Sequence, residues 1–341
     1  MVTSRSGERR PPGPAQITLA GLLVLSVLVS VFGFARADES GSAGGPEVFA
    51  TTGFIADAVR NIAPDADVTT LVGPGGDPHH YQPSTKQIQE MLGSDVVLWN
   101  GLYLEAQMID QLQGLGDKQM AVADAIGRDE LIANTVDPAS GAGGVDRDNA
   151  TATYDPHIWN SPSLWRQAIE PIADRLAELR PEKAEEYESN AREYIRQIDD
   201  VERQAQDDVS GIPVEDRVVV TGHDAFGYLG RDLDIDVHAT DFIAADAQVS
   251  ANQLSGLADM IVDERIRTIF LDNQSNPQAI SSLREAVLAR GRTVSISPEA
   301  LYADSLGTEA EMSTYTGAYR HNVEAMAEAM RHTHEEKTAG E

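Results

Sequence analysis

Short apolar or β-branched runs alternate with stretches of helical periodicity in the first half of the chain. The strand-like runs cover 68–72, 95–99 and 120–123, and the helix-like stretches cover 54–62 and 85–92. Apolar runs of this length, separated by amphipathic stretches, are typical of strands joined by crossover helices. The pattern therefore predicts a parallel sheet with helices on its faces.

The same alternation returns in the second half of the chain. Strand-like runs cover 217–221, 235–239, 268–271 and 293–296, and helix-like stretches cover 250–262 and 277–289. No residue-level repeat accompanies this repetition of elements. We predict an α/β fold of two lobes, each a mostly parallel sheet flanked by helices.

A strongly charged stretch from 181 to 210 separates the two halves. Pro181 opens it, and apolar residues then recur every three or four positions, at Tyr187, Ala191, Tyr194, Ile195, Ile198 and Val201. Proline favours the first turn of a helix, and this spacing gathers the apolar side chains on one face. We predict one long α-helix that joins the lobes and restricts hinge motion between them.

The predicted organisation follows from these boundaries. An N-terminal lobe at 47–180, the linking helix at 181–210 and a C-terminal lobe at 211–334 precede a polar tail at 335–341. Within the first lobe, the Gly- and Ser-containing segment 137–153 lacks periodicity, and we expect it to form a mobile loop.

The N-terminus has the features of an export signal. Basic residues precede an apolar run at 17–34, which ends in Ala35-Arg36-Ala37. This order predicts a signal peptide over 1–37 that is cleaved after Ala37. The apolar run also approaches the roughly 20 residues that span a bilayer, so an uncleaved anchor is the alternative. Residues 38–46 are mostly Ser, Gly, Glu and Ala, which is typical of a flexible tether.

Composition narrows the chemistry that is open to this protein. The 341 residues include no cysteine, and 26 basic residues stand against 55 acidic ones, which gives a formal net charge of −29. Without cysteine the chain has no disulfide, no thiolate metal ligand and no lipid-modified cysteine, so we do not expect a lipoprotein. The acidic surface should repel nucleic acid and attract cations.

Two Asp-Pro-His triplets hold the first candidate ligands. His79 lies in a loop rich in glycine and proline after the run 68–72, and His157 follows the segment 137–153. Ligands of open α/β lobes bind beyond the carboxyl ends of strands, which is where the loop of His79 is expected. The preceding residues Asp77 and Asp155 are suited to accept a backbone hydrogen bond in the turn or to orient an imidazole ring.

Further candidates follow strand-like runs of the second half. His223 comes after the run 217–221, and Asp304 comes after the run 293–296. Asp272, at the end of the run 268–271, is a rival carboxylate. Because all of these runs end at the ligand-binding edge of their predicted sheet, the second lobe can present an imidazole and a carboxylate to the first across a cleft.

In their residue sequences and in their order along the chain, these motifs resemble those of the metal-binding solute-binding proteins of bacterial zinc and manganese ABC importers. The resemblance covers about 47–333 and is carried by Asp-Pro-His-x-Tyr-x-Pro-Ser at 77–84, Asp-Pro-His-x-Trp at 155–159, Thr-Gly-His-Asp-Ala-Phe-x-Tyr at 221–228, Tyr-Ala-Asp-Ser-Leu-Gly at 302–307, and Asn100-Gly101-Leu102 with Leu104-Glu105. It implies a metal site in the interlobe cleft with the ligands His79, His157, His223 and Asp304. Asp77, His80, Asp155 and Asp272 are then expected beside these ligands or as alternative ligands.

Three imidazoles and one carboxylate suit Zn²⁺ and, more weakly, Mn²⁺. In the family that the motifs resemble, a carboxylate at the position of His223 is associated with manganese, whereas zinc-dedicated members often carry a long His-rich loop that this chain lacks. We expect a monomeric exported protein that captures Zn²⁺, with Mn²⁺ as the alternative, outside the cytoplasmic membrane. The resemblance implies delivery to an ABC transporter permease, and a surface adhesin role has also been attributed to the family.

Two other functions compete with metal capture. A solute-binding protein of the same architecture for an organic metal chelate would not need four converging ligands. A zinc metalloenzyme keeps a coordination position open for water or substrate. The chain has neither a His-Glu-x-x-His nor a Gly-x-Ser-x-Gly motif and no phosphate-binding Gly-Lys-Ser loop. We therefore predict that the protein is not an enzyme.

Overall fold

The computed structural model describes residues 44–133, 154–241, 251–273 and 277–339. Residues from Gly44 onward belong to one packed unit. The predicted signal peptide, most of the predicted tether and the predicted loop at 137–153 lie outside the described residues. Among the described helices, none combines the length and the apolar character that a membrane crossing requires.

The first sheet contains four parallel strands in the order β2-β1-β3-β4. They are β1 (Glu47–Ala50), β2 (Asp67–Thr70), β3 (Val96–Trp99) and β4 (Gln119–Ala121). The interior strand β1 pairs with both β2 and β3 through Val48. The sequence pattern did not predict β1, because only Thr51 and Thr52 separate its short apolar run from the next helix.

The second sheet repeats this arrangement in the order β6-β5-β7-β8, again with every pair of strands parallel. Its strands are β5 (Val218–His223), β6 (Asp236–Asp241), β7 (Thr268–Ile269) and β8 (Ser295–Ile296). Relative to the order of the strands in the chain, the two sheets have the same arrangement, with the second strand at one edge beside the first. The predicted α/β fold with two parallel sheets is therefore confirmed.

Helices cover the faces of both sheets. In chain order they are α1 (Gly53–Ile62), α2 (Thr85–Gly93), α3 (Ile109–Gln113), α4 (Pro162–Leu179), α5 (Ala184–Ser210), α6 (Gly227–Leu233), α7 (Ala251–Asp263), α8 (Pro277–Ala289) and α9 (Tyr315–Ala339). The sequence pattern did not predict α4, since Pro171 interrupts its periodicity. Its start is nevertheless well defined, because Ser161 accepts the backbone N–H of Leu164 and Pro162 occupies the first turn.

In the sequence, the long helix α5 comes after the strands of the first sheet and before those of the second. A 3₁₀ turn at Pro181–Lys183 leads into its 27 residues. Its buried face includes Tyr187, Tyr194 and Ile198, and it packs on α4 and α1 of the first lobe and on α9 of the second. The predicted linking helix thus exists as one unbroken element that is held from both sides.

One hydrophobic cluster crosses the boundary between the lobes. It contains Phe54 of α1, Ile198 of α5, Val219 of β5 and Met326 of α9. Two further clusters lie on the other faces of the first and second sheets. Because the lobes share buried apolar surface, a large separation of the lobes would expose this surface to water.

The chain end differs from the prediction of a polar tail at 335–341. Helix α9 continues to Ala339, which extends the folded part beyond 334. Lys337 Nζ lies 2.9 Å from Asp216 and 3.2 Å from Glu264, and Glu336 pairs with Arg267 and Arg292. These ion pairs fix a segment whose polar composition suggested a free end.

Candidate metal centre

Four side chains from separate loops meet where the two lobes face each other. His79 follows β2, His157 precedes a 3₁₀ turn at Ile158–Asn160 that leads to α4, and His223 is the last residue of β5. Asp304 follows Leu301, which bridges Asp272 beyond β8. One ligand atom from each of the four lies within 4.8 Å of the others.

The closest distances within the group involve Nε2 atoms and both carboxylate oxygens. Nε2 of His79 lies 3.2 Å from Nε2 of His157 and 3.4 Å from Oδ2 of Asp304. Nε2 of His157 lies 3.3 Å from Oδ1 of Asp304, and Nε2 of His223 lies 3.2 Å from Oδ2. The three ring centroids are 5.3 to 5.6 Å apart. The donor atoms therefore point at one common centre.

Burial within the group is uneven. The side chains of His157 and Asp304 are 0% and 1% exposed, whereas those of His79 and His223 are 10% and 9% exposed. Nε2 of His223 is fully buried and makes no hydrogen bond with any residue that the structure describes. Polar atoms that are buried in this way usually have a partner, so their convergence is itself evidence for an ion.

The two Asp-Pro-His triplets adopt the same turn. Oδ1 of Asp77 accepts the backbone N–H of His79 at 2.8 Å, and Oδ1 of Asp155 accepts that of His157 at 2.9 Å. In the second triplet, Asp155 also lies 2.6 Å from Nδ1 of His157. Because a carboxylate only accepts, Nδ1 of His157 carries a proton and donates it to Asp155, which leaves Nε2 as the nitrogen that faces the centre.

The other candidates from the sequence lie outside this group of four. Asp77 contacts Nδ1 of His80 at 2.8 Å, and the His80 side chain is 37% exposed. Asp272 is buried and raises the pKa of His223 through its charge, but it is not a member of the group. Between the two rival carboxylates, only Asp304 lies at the centre.

Electrostatics couple the group tightly. Burial lowers the pKa of His157, but Asp155 and Asp304 outweigh this effect and raise it to about 10. His223 also has a raised pKa because Asp304 outweighs burial, while burial lowers the pKa of His79. Burial alone would raise the pKa of Asp304, yet His223 and His157 hold it well below its usual range. The centre is thus an anionic oxygen among imidazoles that attract protons or another cation.

A buried polar platform supports the loop of His157 and was not predicted from the sequence. Asn100 Nδ2 donates to the carbonyl of Pro156 at 2.9 Å. Glu105 accepts the hydroxyl of Thr51 and the backbone N–H groups of Asn100 and Gly101. Asn100 and Glu105 belong to the segment that carried part of the family resemblance, but nothing in their spacing revealed the contact with Pro156.

Hydrogen bonds tie the two lobes together around the centre. Trp159 Nε1 donates to the carbonyl of Ala303 at 2.7 Å, and Asn160 Nδ2 donates to that of Ala225 at 2.9 Å. The backbone N–H of Gly75 donates to Ser305 Oγ at 2.9 Å. The loops that carry the histidines of the first lobe are therefore anchored to the second lobe.

The remaining histidines lie elsewhere. His238 pairs with Asp236 on β6 and His334 pairs with Asp216. Nε2 of His321 lies 3.0 Å from the carbonyl oxygen of Ala300. Among the described residues, no second group of three or more potential ligands occurs.

Sequence comparisons identify relatives over nearly the whole described chain. The model of the family described as "Zinc-uptake complex component A periplasmic" (ZnuA) matches residues 48–329. The manganese-binding lipoprotein MntA of Bacillus subtilis (strain 168) is 33% identical over 289 residues, which cover 84% of this chain and 90% of MntA. The zinc-binding protein TroA of Treponema pallidum (strain Nichols) is 30% identical over 91% of this chain and 97% of TroA. The iron-binding protein YfeA of Yersinia pestis is 29% identical over 90% of this chain and 93% of YfeA.

Structure comparison agrees with the sequence relationship. The periplasmic zinc-binding protein TroA from Treponema pallidum superposes with a TM-score of 0.76 at 30% identity, covering 84% of this chain and 99% of TroA. The residues that the family model matches span both lobes and include each member of the four-residue group. The chain therefore belongs to the ZnuA family of periplasmic metal-binding components of metal-uptake complexes.

Proposed function

We propose that this protein captures one divalent transition metal ion outside the cytoplasmic membrane and delivers it to an ABC transporter permease. His79, His157, His223 and Asp304 are the proposed ligands. The observation that carries the proposal is the convergence of their ligand atoms within 4.8 Å of one another in a buried centre. The metal is the transported substrate in this scheme and not a catalytic group.

The spacing of the donor atoms suits an ion of the size of Zn²⁺. A tetrahedral ion with ligands about 2.0–2.1 Å away holds neighbouring donor atoms about 3.3–3.4 Å apart. The distances from Asp304 to the three imidazoles are 3.2 to 3.4 Å. Three nitrogens and one carboxylate therefore favour Zn²⁺ as the preferred substrate.

Mn²⁺ is the alternative substrate because both carboxylate oxygens of Asp304 face the centre. Its Oδ1 faces His157 while its Oδ2 faces His79 and His223, so both oxygens can bind the same ion. Binding through both oxygens gives five donor atoms, and carboxylate oxygen suits Mn²⁺. Relatives named for zinc, manganese and iron occur side by side, which supports a divalent transition metal as the common class.

The centre favours capture over catalysis. Four protein side chains surround the ion position, and His157 and Asp304 are almost completely buried. A catalytic zinc site instead has three protein ligands and an exchangeable water. We infer that the protein is a transport component and not an enzyme.

An organic chelate as the ligand is less compatible with the centre. Ring centroids of the three histidines lie only 5.3 to 5.6 Å apart. Trp159 packs edge-on against His157 at 5.4 Å and closes the first-lobe side. The space between the rings therefore accommodates an ion rather than a molecule.

The proposed location and partner rest on the sequence and on the relatives. A signal-like segment at 1–37 supports export, either with cleavage or as a retained anchor. MntA is named a lipoprotein, whereas this chain has no cysteine to carry a lipid. Membership in a family named for a zinc-uptake complex supports a permease as the partner. We propose that the protein acts as a monomer.

Elemental analysis of protein purified without chelator tests the proposed function. We expect about one equivalent of a transition metal per chain in a single high-affinity centre. Metal-free protein should then prefer Zn²⁺ to Mn²⁺ in a direct competition. His157→Ala should abolish stoichiometric binding, because His157 is the fully buried imidazole of the group.

The matched control is His238→Ala, which removes a partly exposed imidazole that pairs with Asp236 outside the centre. This variant should keep full metal content. Recovery of an organic ligand and no metal from the wild-type protein would support the chelate alternative instead.

A further inference from the structure

His80, the residue after His79, stands beside the centre without belonging to it. Its Nδ1 lies 2.8 Å from Oδ2 of Asp77, and its side chain is 37% exposed. The same pairing of a carboxylate with Nδ1 occurs at Asp155 and His157, where it turns Nε2 towards the ion position. A carboxylate therefore orients the ring of His80 as it orients that of His157, but the His80 side chain is partly exposed whereas that of His157 is buried.

The orientation of the His80 ring leaves one nitrogen available. A carboxylate only accepts hydrogen bonds, so Nδ1 of His80 carries the ring proton and Nε2 keeps its lone pair. Within the part of the chain that the structure describes, Nε2 of His80 has no hydrogen-bond partner. A held ring with a free, partly exposed Nε2 is the arrangement in which an imidazole binds a metal ion.

Exposure within the centre shows from which side an ion arrives. His157 and Asp304 are sealed at 0% and 1% exposure, and the remaining exposure belongs to His79 and His223. An ion must therefore enter past the edge that His79 helps to form. His80 is next to His79 in the chain and belongs to the same loop.

We propose that His80 is an entry ligand for the metal. Resting on the proposed function, this assignment makes Nε2 of His80 replace one water of an arriving Zn²⁺ before the ion passes to His79. Release follows the same steps in reverse. The steps through His80 and His79 each exchange one coordination bond for another, and no electron is transferred.

An entry ligand has a kinetic signature that distinguishes it from a resident ligand. A residue that binds the ion only on the way in and out lowers the barrier equally in both directions. Its loss slows association and dissociation together, so the ratio of the two rates, the Kd, hardly changes. Loss of a resident ligand instead accelerates dissociation and weakens the Kd.

Stopped-flow measurements with His80→Gln test the assignment. Metal-free protein is mixed with Zn²⁺, and the zinc-loaded protein is mixed with excess chelator, while tryptophan fluorescence is followed. Trp159 is a suitable reporter because its ring lies 5.4 Å from that of His157. We expect both rate constants to fall about three-fold or more, which corresponds to about 0.65 kcal/mol in each barrier.

The matched control is His238→Gln, since His238 is a partly exposed imidazole that is paired with a carboxylate on β6. Its rates should equal those of the wild type. Equal rates in His80→Gln and His238→Gln would overturn the assignment while leaving the proposed function intact. A Kd weakened ten-fold with an unchanged association rate would also overturn it, because His80 would then be a resident ligand. Wild-type protein that binds no Zn²⁺ would overturn both proposals.

Discussion

Oδ1 of Asp155 holds His157 at two points, because it accepts the backbone N–H at 2.9 Å and faces the ring Nδ1 at 2.6 Å. Both groups are buried, with 5% exposure for the Asp155 side chain and none for His157. Two bonds to one oxygen fix both the loop and the ring. The position of Nε2 at the centre therefore depends on a carboxylate that is not itself in the group of four.

The variant Asp155→Asn should weaken Zn²⁺ binding about 10–100-fold, as loss of an orienting partner of a metal-bound histidine commonly does. The amide can still accept the backbone N–H, so the chain should fold. Chelator competition gives the affinity, and thermal unfolding gives the stability. Asp236→Asn is the control, since Asp236 pairs with the partly exposed His238 outside the centre. Equal affinities in the two variants would contradict the orienting role of Asp155.

Metal binding should release protons at neutral pH. The pKa of His157 is raised to about 10, so this imidazole is protonated in the metal-free protein at pH 7, and the pKa of His223 is shifted in the same direction by Asp304. A ligand must lose this proton to bind the ion, and affinity therefore falls as pH falls, by about ten-fold per pH unit for each proton released. His79 adds little at this pH, because burial lowers its pKa.

Calorimetry in buffers of different ionisation enthalpy measures this proton release directly. Because the raised pKa values extend the dependence above neutral pH, affinity should still increase between pH 7 and pH 9. If the imidazole pKa values were unperturbed, the metal affinity would stop increasing with pH above about 6.5. A flat affinity above pH 7 would show that the metal-free imidazoles are not held in the protonated state.

Because the buried polar platform of Asn100 and Glu105 supports the loop of His157, we expect a substitution in it to lower both the unfolding free energy and the metal affinity. Asn100→Ala removes the buried bond to the Pro156 carbonyl and should cost about 1–3 kcal/mol of unfolding free energy. Zn²⁺ affinity should fall as well, since Pro156 precedes the ligand His157. Asn190→Ala is the control, because Asn190 makes a similar bond to the carbonyl of Ile62 away from the centre. It should lose stability and keep its affinity.

Hydrogen exchange with and without Zn²⁺ tests how the protein opens. Helix α5 is buried along one face and packs on both lobes, so its amides should stay protected when the metal is removed. Backbone amides around His79 and Asp304 should lose protection, because loops from the two lobes meet there. Faster exchange in the middle of α5, near Ile198, would show that the linking helix bends or unfolds during release.

Periodicity was sufficient to predict most of the fold. A strand overlaps each strand-like run, helices with an amphipathic face appear at the predicted places, and α8 has the predicted bounds. The pattern missed β1, because only two residues separate it from the next helix, and α4, because Pro171 interrupts its periodicity. Tertiary pairing stabilises β1, and this information is absent from its local sequence.

The centre was predictable as a set of residues but not as a geometry. His79, His157, His223 and Asp304 were each identifiable from a motif, and the structure brings all four together. Their motifs did not reveal that Asp77 would hold His80 rather than the ring of His79, or that Asn100 would reach Pro156. Such contacts join positions whose proximity depends on the path of whole loops.

The cluster that runs from Phe54 through Ile198 to Met326 has a consequence for recognition by the proposed permease. A molecule whose halves are fused through their interior keeps nearly the same outline whether it is loaded or empty. A permease that meets it cannot sort full from empty carriers by overall shape. We expect such a permease to sense instead the local surface around the four-residue group, where loops of the two lobes meet.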